Sequence, residues 1–317
     1  MPSVTVACHA MATRFEIVLH GDNATALRAA GEEALRVVEE LEAQLSLFRA
    51  SSEIAHLNAR AAREPVRITP GLFALLRHAQ KLHTESGGAF DITIAPLVRC
   101  WGYMGGDGRL PRAEEVAEAR QQVGMGLVRL NPEDLTVQFA REGVMLDLGA
   151  IGKGYAVERA AEALREAGVA SALVHGGTST VQAIGQPPTE EFWKIAIETP
   201  SPLPDSTPTL LATVPLKDEA MSVSGVWGNS FQAGGRTFGH IIDPRTGEPA
   251  LGTVLAAVVL PSATETDALS TALLVLGSAG HEKIASLRAG MRTLVVSESG
   301  GKLRVEAKGI AVRQKPV

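Results

Sequence analysis

The sequence has 317 residues, of which 45% are apolar and 4% are aromatic, and its formal net charge is −5. This apolar content is sufficient for a folded core, and the lack of a Lys/Arg-rich block argues against a nucleic-acid-binding protein. The two cysteines, Cys8 and Cys100, are far apart and have no CxxC partner, so neither a zinc site nor a disulfide framework is indicated.

The first elements in chain order are one or two strands, predicted in residues 3–20 by alternation of apolar and polar residues. This start lacks a basic region followed by a long apolar run, and no stretch of about 18 apolar residues occurs anywhere. We therefore expect a cytoplasmic protein with no transmembrane helix, and an exported or membrane-associated form is left open.

Two helices are predicted next. Asp22 or Asn23 can cap a long amphipathic helix whose apolar residues share one face as far as Leu45. Thr69 followed by Pro70 is typical of a second helix start, and the glycine pair at 87–88 is a stop signal.

The remainder of the chain mixes short strands, turns and helices. The predicted elements are a helix in 110–124, a hairpin in 135–150 that turns at 141–143, a helix in 154–168, strands in 171–177 and 193–198, a loop in 199–210, turns in 228–250, a strand in 253–261 and a helix from 264. This order shows no regular βαβ alternation, which favours an α+β (mixed α/β) fold over a parallel doubly wound sheet. We expect one domain over residues 1–317, in an arrangement that allows two lobes with the active site between them.

A glycine-rich stretch, LDLGAIGKGYAVE, precedes the helix predicted in 154–168 and places Lys153 between two glycines. Main-chain N–H groups at a helix start, beside an ammonium group, form an anion site. The spacing fits neither a P-loop, which needs glycine where Asp147 stands, nor a dinucleotide fingerprint, which needs glycine where Val157 stands. The alternative interpretation is glycine-rich capping of an ordinary helix.

The helix that begins near residue 264 carries Asp267 and Thr271, which are four residues apart and therefore share one face. A carboxylate and a hydroxyl in this arrangement suit a hard cation such as Mg²⁺, which fills its other positions with water and substrate phosphate. The alternative is local capping, in which Thr264 and Asp267 form a variant capping box.

Three further residues are considered for a role in chemistry. His240 precedes the turn sequence Asp-Pro-Arg-Thr-Gly at 243–247, and His175 stands in LVHGG; each has a structural alternative. Asp91 interrupts an apolar run, and its alternative is a solvent-facing position in a strand, because FDITI alternates.

Taken together, these stretches resemble the ApbE family, the FAD:protein FMN transferases, over residues 11–277. The resemblance is carried by six motifs in order: MATRFEI, LSLFRASSEIAHLN, GGAFDITIAPLVRCWGY, LDLGAIGKGYAVE, GHIIDPRTGEP and ETDALSTALLVLG. It implies an ApbE-like fold with mixed β-sheets and flanking helices. It further implies that FAD is the substrate and that FMN is transferred from FAD to a Thr or Ser hydroxyl of a target flavoprotein, with release of AMP.

Matching positions then imply roles for individual residues. The flavin nucleotide is expected to contact Met11, Phe48, Ala89, Phe90, Asp91, Asp147, Lys153 and Ile242. Mg²⁺ is expected to bind the carbonyl of Ala150 and the side chains of Asp267 and Thr271, with Ser270 as an additional neighbour in some relatives. His240 is the candidate general base for the acceptor hydroxyl.

The chain departs from the family pattern at three places. Phe48 and Trp227 stand where tyrosine is usual, and the segment GGTST after His175 lacks the acidic residue that many members carry. Three activities are therefore considered: FMN transfer to a protein, FAD hydrolysis to FMN and AMP, and flavin binding without turnover. The Asp267/Thr271 pair favours the two enzymatic activities, because a binding protein needs no activating metal.

Overall fold

The computed structural model describes residues 2–200, 209–226 and 230–313, and its irregular order of helices and antiparallel strands confirms the predicted α+β (mixed α/β) class. The strands are β1 (Ser3–Ala10), β2 (Thr13–His20), β3 (Val66–Arg67), β4 (Val128–Asn131), β5 (Thr136–Phe139), β6 (Ala172–Gly176), β7 (Thr180–Ile184), β8 (Trp193–Glu198), β9 (Leu210–Leu216), β10 (Ala220–Gly225), β11 (Ser230–Ala233), β12 (Arg236–Gly239), β13 (Thr253–Leu260), β14 (Arg292–Ser299) and β15 (Lys302–Lys308). The helices are α1 (Ala24–Leu45), α2 (Glu53–Arg60), α3 (Pro70–Ser86), α4 (Ala95–Cys100), α5 (Ala113–Arg120), α6 (Gly152–Glu166) and α7 (Ala263–Ala285). The extent of one domain over residues 1–317 stays a prediction.

The main sheet is antiparallel, with the strand order β1-β2-β6-β7-β10-β13-β14-β15. Smaller sheets are formed by β3-β5-β4, by β8-β9 and by β11-β12. Along one face of the main sheet, apolar residues pack against α1, α6 and α7. The other face packs against the β8-β9 hairpin through residues such as Leu173, Met221, Trp193 and Ile197.

Several helix boundaries follow the sequence signals. Asn23 caps α1 by accepting a hydrogen bond from the N–H of Ala26 at 3.1 Å. Thr69 caps α3, and Gly87 ends it in the left-handed conformation at φ 70°. The predicted helices in 110–124 and 154–168 are present as α5, which is shorter, and α6, which starts earlier at Gly152.

The predicted hairpin in 135–150 is wrong. Only β5 forms there, and it pairs with β3 and β4 instead of with residues 144–147. The reason is a long-range contact: the amide side chain of Asn58 donates to the carbonyl of Leu146 at 2.9 Å and accepts from its N–H at 2.8 Å. This contact satisfies the main chain of Leu146 outside any sheet and directs the following glycine-rich stretch elsewhere.

The strands predicted in 3–20, 171–177, 193–198 and 253–261 are confirmed as β1 with β2, β6, β8 and β13. The turn at Gly234-Gly235 joins β11 to β12. Of the loop predicted in 199–210, residues 201–208 lie outside the described residues, and so does Trp227. Within the described part of the chain, no helix is long and apolar enough to cross a membrane.

Candidate active site

A cavity of about 1020 Å³ lies where α6 and α7 begin, beside the loop at 89–94 and the turn that follows His240. Its wall also includes residues of β6, β7, β8 and β10. Most residues predicted for the site line this cavity, namely Ala89, Phe90, Asp91, Asp147, Ala150, Lys153, His240, Ile242, Asp267 and Thr271. Residues more than 100 positions apart in the sequence therefore share one concave surface, as expected of a small-molecule site.

The glycine-rich stretch forms a tight turn into α6. Oδ1 of Asp147 accepts a hydrogen bond from the N–H of Gly149 at 2.8 Å, and the ammonium of Lys153 donates to the carbonyl of Gly149 at 3.1 Å. Burial raises the pKa of Asp147, while the N–H of Gly149 and the charge of Lys153 oppose that shift. This segment thus presents a cation and a helix start to the cavity, which is the arrangement of an anion site.

Close contact between α6 and α7 positions Asp267. Oδ2 of Asp267 accepts a hydrogen bond of 2.8 Å from the N–H of Gly154. A Cβ on Gly154 would overlap the carbonyl oxygen of Ala263 and lie 2.6 Å from Cβ of Asp267, so only glycine permits this approach. Burial raises the pKa of Asp267, against the charge of Lys153 and the N–H of Gly154.

The hydroxyl of Thr271 lies one helical turn beyond Asp267 and also lines the cavity. Its Oγ1 donates to the carbonyl of Asp267 at 3.3 Å and lies 3.2 Å from Oγ of Ser224. Ser224 also contacts the buried hydroxyl of Ser270 at 2.8 Å. The stripe predicted on this helix therefore exists, and a serine on β10 adds to it.

The capping interpretation of Thr264 and Asp267 is wrong. The N-cap of α7 is Ser262, whose side chain accepts a hydrogen bond from the N–H of Glu265 at 3.2 Å. The N–H of Thr264 donates instead to Glu158 at 2.8 Å. Because its first turn is capped by other residues, the helix does not need the carboxylate of Asp267.

The loop at 89–94 is held by Asp91. The solvent-facing strand position considered for Asp91 is wrong, because this side chain is buried in a turn that leads into α4. Its Oδ1 accepts from the N–H and hydroxyl of Thr93 at 2.7 and 2.5 Å, and its Oδ2 lies 3.1 Å from Nδ1 of His83. Hydrogen bonding to Asp91 raises the pKa of His83, although burial opposes the shift. Asp91 thus shapes the cavity wall by ordering the loop.

His240 directly follows β12, and its ring is edge-on to Tyr103 with a centroid separation of 6.4 Å. The predicted turn follows: Asp243 accepts from the N–H of Arg245 at 2.9 Å and pairs with its guanidinium at 2.7 Å. Ile242 forms an isolated bridge with Pro249. The turn fixes the direction in which His240 and Ile242 enter the cavity wall.

Two predicted flavin contacts, Met11 and Phe48, lie outside the lining of this cavity. Met11 and Ala12 form the two-residue turn between β1 and β2 with φ values of 50° and 58°, which non-glycine residues rarely adopt. The N–H of Met11 donates to Glu42 at 3.0 Å. Phe48 is 77% exposed, an unusual position for a large aromatic side chain.

Sequence reasoning did not assign several cavity residues. The sequence assigns no specific role to His175, yet this residue lines the cavity, and burial lowers the pKa of its imidazole. Ser224 and the residues Lys194–Glu198 of β8 were also missed. Serine and an alternating strand carry no distinctive local signal, so only their positions in space reveal them.

The fold and the site together define a protein of the flavin transferase class. The structure matches that of the ApbE protein of Thermotoga maritima with a TM-score of 0.85 and 28% identity, over 96% of each chain. It matches the apo form of the flavinyl transferase ApbE of Pseudomonas stutzeri with a TM-score of 0.83 and 29% identity, over 97% of this chain and 95% of that one.

The chain belongs to the ApbE family, because the sequence model of that family matches residues 11–295. It is 31% identical to a FAD:protein FMN transferase of Haemophilus influenzae over 253 residues, 78% of this chain and 72% of the relative. It is 32% identical to a FAD:protein FMN transferase of Treponema pallidum over 278 residues, 83% of this chain and 75% of the relative. The resemblance drawn from the six motifs is thereby confirmed.

Proposed function

We propose that this chain is a FAD:protein FMN transferase, which moves FMN from FAD to a Thr or Ser hydroxyl of a target flavoprotein and releases AMP. The observation that carries the proposal is the convergence of Lys153, His240, Asp267 and Thr271 on one cavity of about 1020 Å³. A cation, an imidazole and a carboxylate-hydroxyl pair can bind a charged phosphoryl group, accept a proton and hold a metal ion, which are recurring tasks in phosphoryl transfer.

We assign the FAD-binding site to this cavity. Lys153 binds the pyrophosphate, because its ammonium group and the helix dipole supply positive potential where α6 begins. Asp147, Ile242 and the loop residues Ala89, Phe90 and Asp91 form the surrounding wall. Met11 and Phe48 remain proposed flavin contacts, although neither residue lines the cavity. Met11 lies in a turn with a positive φ, and the ring of Phe48 is exposed.

The proposal includes Mg²⁺, and the residues present fit this ion. Asp267 is buried, its one side-chain hydrogen bond is accepted by Oδ2, and among the described residues no donor reaches Oδ1. The hydroxyl of Thr271 and the main chain of Ala150 line the same cavity and would supply neutral oxygens. The described residues contain no cluster of three His, Cys, Asp or Glu, so water and substrate oxygens would have to complete the coordination of the ion. When bound, Mg²⁺ would neutralise charge on the pyrophosphate.

The reaction assigned to the site is a displacement at phosphorus. The acceptor oxygen bonds to the phosphorus next to riboflavin, the bond from that phosphorus to the oxygen bridging to AMP breaks, and AMP leaves with that oxygen. His240 accepts the hydroxyl proton, since a neutral imidazole is a suitable base near neutral pH. Lys153 stabilises negative charge on the phosphoryl oxygens.

Incubating the chain with FAD and MgCl₂, with and without a flavoprotein that carries exposed Thr and Ser residues, tests this proposal. Transfer predicts AMP release together with in-gel flavin fluorescence of the added protein, and mass spectrometry then identifies the FMN-bearing peptide. AMP and FMN without labelling of the protein would indicate FAD hydrolysis. FAD binding without AMP would indicate a flavin-binding protein and would overturn the proposal.

A further inference from the structure

The β8 strand forms one wall of the cavity in an unusual way. Five consecutive residues, Lys194–Glu198, line the cavity, whereas no residue of β9 does so. Consecutive side chains of a strand point to opposite faces, so a cavity that contacts all five residues runs along an edge of the strand. Because β9 occupies one edge, the cavity runs along the other.

The register of the hairpin identifies which main-chain groups point to that edge. Lys194 is paired with Pro215, which has no N–H, so this pair is of the non-hydrogen-bonded type. Alternation then makes Ala196 non-hydrogen-bonded as well. A register shift separates Ile197 from Glu198, and beyond it the N–H of Thr199 donates to the carbonyl of Thr209, which assigns the hydrogen-bonded position to Thr199 and the non-hydrogen-bonded one to Glu198. The N–H and C=O groups of these three β8 residues therefore point away from β9.

These outward groups are without main-chain partners among the described residues, since β8 pairs only with β9. The opposite edge of the hairpin is protected differently. Pro215 removes one donor from β9, Ala212 forms a bridge with Val312, and the N–H of Arg313 donates to the carbonyl of Leu211. The β9 edge of the hairpin is thus covered, whereas among the described residues no strand pairs with the β8 edge beside the cavity.

We propose that the open edge of β8 is the docking site for the acceptor segment of the target protein, which binds as an added, extended strand. This inference rests on the proposed transferase function and specifies how its protein substrate is recognised. An extended segment gains affinity from main-chain hydrogen bonds and presents alternate side chains to one side. A Thr or Ser in such a segment therefore enters the cavity that holds His240 and Asp267.

The side chains along the edge restrict which strands can pair there. Lys194, Ala196 and Glu198 are exposed, and Lys194 is paired with Glu190 at 2.6 Å. Charged residues on an edge discourage pairing with hydrophobic strands of other proteins. The occupant is accordingly a polar segment that carries a hydroxyl residue, held mainly by its main chain.

The test uses a synthetic peptide with the sequence that carries FMN in the labelled flavoprotein, made without FMN so that its hydroxyl is free, together with the variants Ala196→Pro and Ala196→Gly. Proline removes the outward N–H of residue 196 without removing a hydrogen bond to β9, whereas glycine keeps that N–H and serves as the matched control. We expect Ala196→Pro to lower kcat/KM for the peptide about tenfold, the effect of losing one or two hydrogen bonds, with an unchanged KM for FAD. Ala196→Gly keeps the N–H of residue 196, so its kcat/KM for the peptide should exceed that of Ala196→Pro by about tenfold.

A second measurement needs no variant, which matters if Ala196→Pro does not fold. Single N-methyl groups are placed in turn on the peptide main chain and labelling by the wild type is measured. Strand pairing predicts losses of about tenfold at alternate positions, because only every second N–H faces β8. Equal effects at all positions would overturn the inference.

Other results would overturn it as well. A raised KM for FAD in Ala196→Pro, with an unchanged KM for the peptide, would place the flavin and not the acceptor at this edge. A change only in the oligomeric state, measured by sedimentation, would mean that a second copy pairs with β8. Failure of the wild type to label the flavoprotein itself would be a failure of the transferase function, which is a separate result.

Discussion

The N–H of Gly154 donates a hydrogen bond of 2.8 Å to Oδ2 of Asp267 across 113 residues of sequence. This bond joins the first turn of α6 to the first turns of α7 and places the glycine-rich stretch beside the carboxylate. The same contact excludes any side chain at position 154. The anion site and the proposed metal site are therefore one rigid arrangement, and its parts can be tested separately.

Asp267→Asn should reduce FMN transfer by about 100-fold or more, because Lewis-acid catalysis supplies several kcal/mol.

In the absence of divalent cations the Asp267→Asn variant should have a higher Tm than the wild type at neutral pH. Burial raises the pKa of Asp267, so ionisation of this group destabilises the folded state as the pH rises. Differential scanning fluorimetry should show that MgCl₂ stabilises the wild type and not the variant, while the exposed Asp134→Asn responds as the wild type does. A magnesium-dependent Tm shift in Asp267→Asn would remove this residue from the metal site.

Gly154→Ala should destabilise the fold by about 1–3 kcal/mol, the usual cost of overpacking. The added methyl group would overlap the carbonyl oxygen of Ala263 and would lie 2.6 Å from Cβ of Asp267. Urea unfolding gives the change in free energy. Gly126→Ala is the control, since nothing lies within 4 Å of a Cβ at that position. Equal stabilities of the two variants would show that the helices can separate without cost.

His240→Ala should lower kcat for transfer by about 100- to 10,000-fold, the contribution of a general base. The Kd for FAD should change far less, because the pyrophosphate is assigned to Lys153 and α6. Single-turnover kinetics and fluorescence titration with FAD measure the two quantities, and His56→Ala on the exposed face of α2 controls for loss of an imidazole. Parallel losses in kcat and FAD affinity would make His240 a binding residue.

Lys153→Met should raise the KM for FAD by about 10- to 100-fold, equivalent to one charged hydrogen bond, with a smaller effect on kcat. Methionine preserves the length of the side chain and removes the charge beside Asp147 and Asp267. Arg159→Met, also on α6 but in an exposed ion pair with Glu162, is the matched control. The KM for FAD is measured from saturation curves. An unchanged KM in Lys153→Met would mean that Lys153 does not bind FAD and that the glycine-rich stretch only caps α6.

The pair of His83 and Asp91 should make stability depend on pH. The hydrogen bond to Asp91 raises the pKa of His83 in the folded state. The stabilisation is therefore complete below the unfolded pKa of about 6.5 and is lost as the pH rises through the higher folded value. Urea unfolding at several pH values should show that the advantage of the wild type over His83→Gln shrinks as the pH rises. In an Asp91→Asn background this pH dependence should disappear, and its persistence would assign it to another group.

The candidate site was predicted unevenly from the sequence. The four-residue spacing of Asp267 and Thr271 and the glycines around Lys153 identified two halves of the site, because spacing along a helix is a local property. The contact of Asp91 with His83 was not predictable, since the two residues lie on different elements. The hairpin prediction in 135–150 is wrong for the same reason, namely a contact between distant residues. The side chain of Asn58 forms hydrogen bonds with the N–H and the carbonyl of Leu146, 88 residues away.

The sequence by itself determined the α+β class, the main helix boundaries and the family, because capping residues, periodicity and ordered motifs act over short distances. Only the tertiary structure decided that Gly154 meets Asp267, that Ser262 and not Thr264 caps α7, and that β8 borders the cavity with an edge that pairs with no other described strand. The physical reason is that close packing and strand register join residues far apart in the chain. No local pattern specifies which distant groups will satisfy a given donor or acceptor.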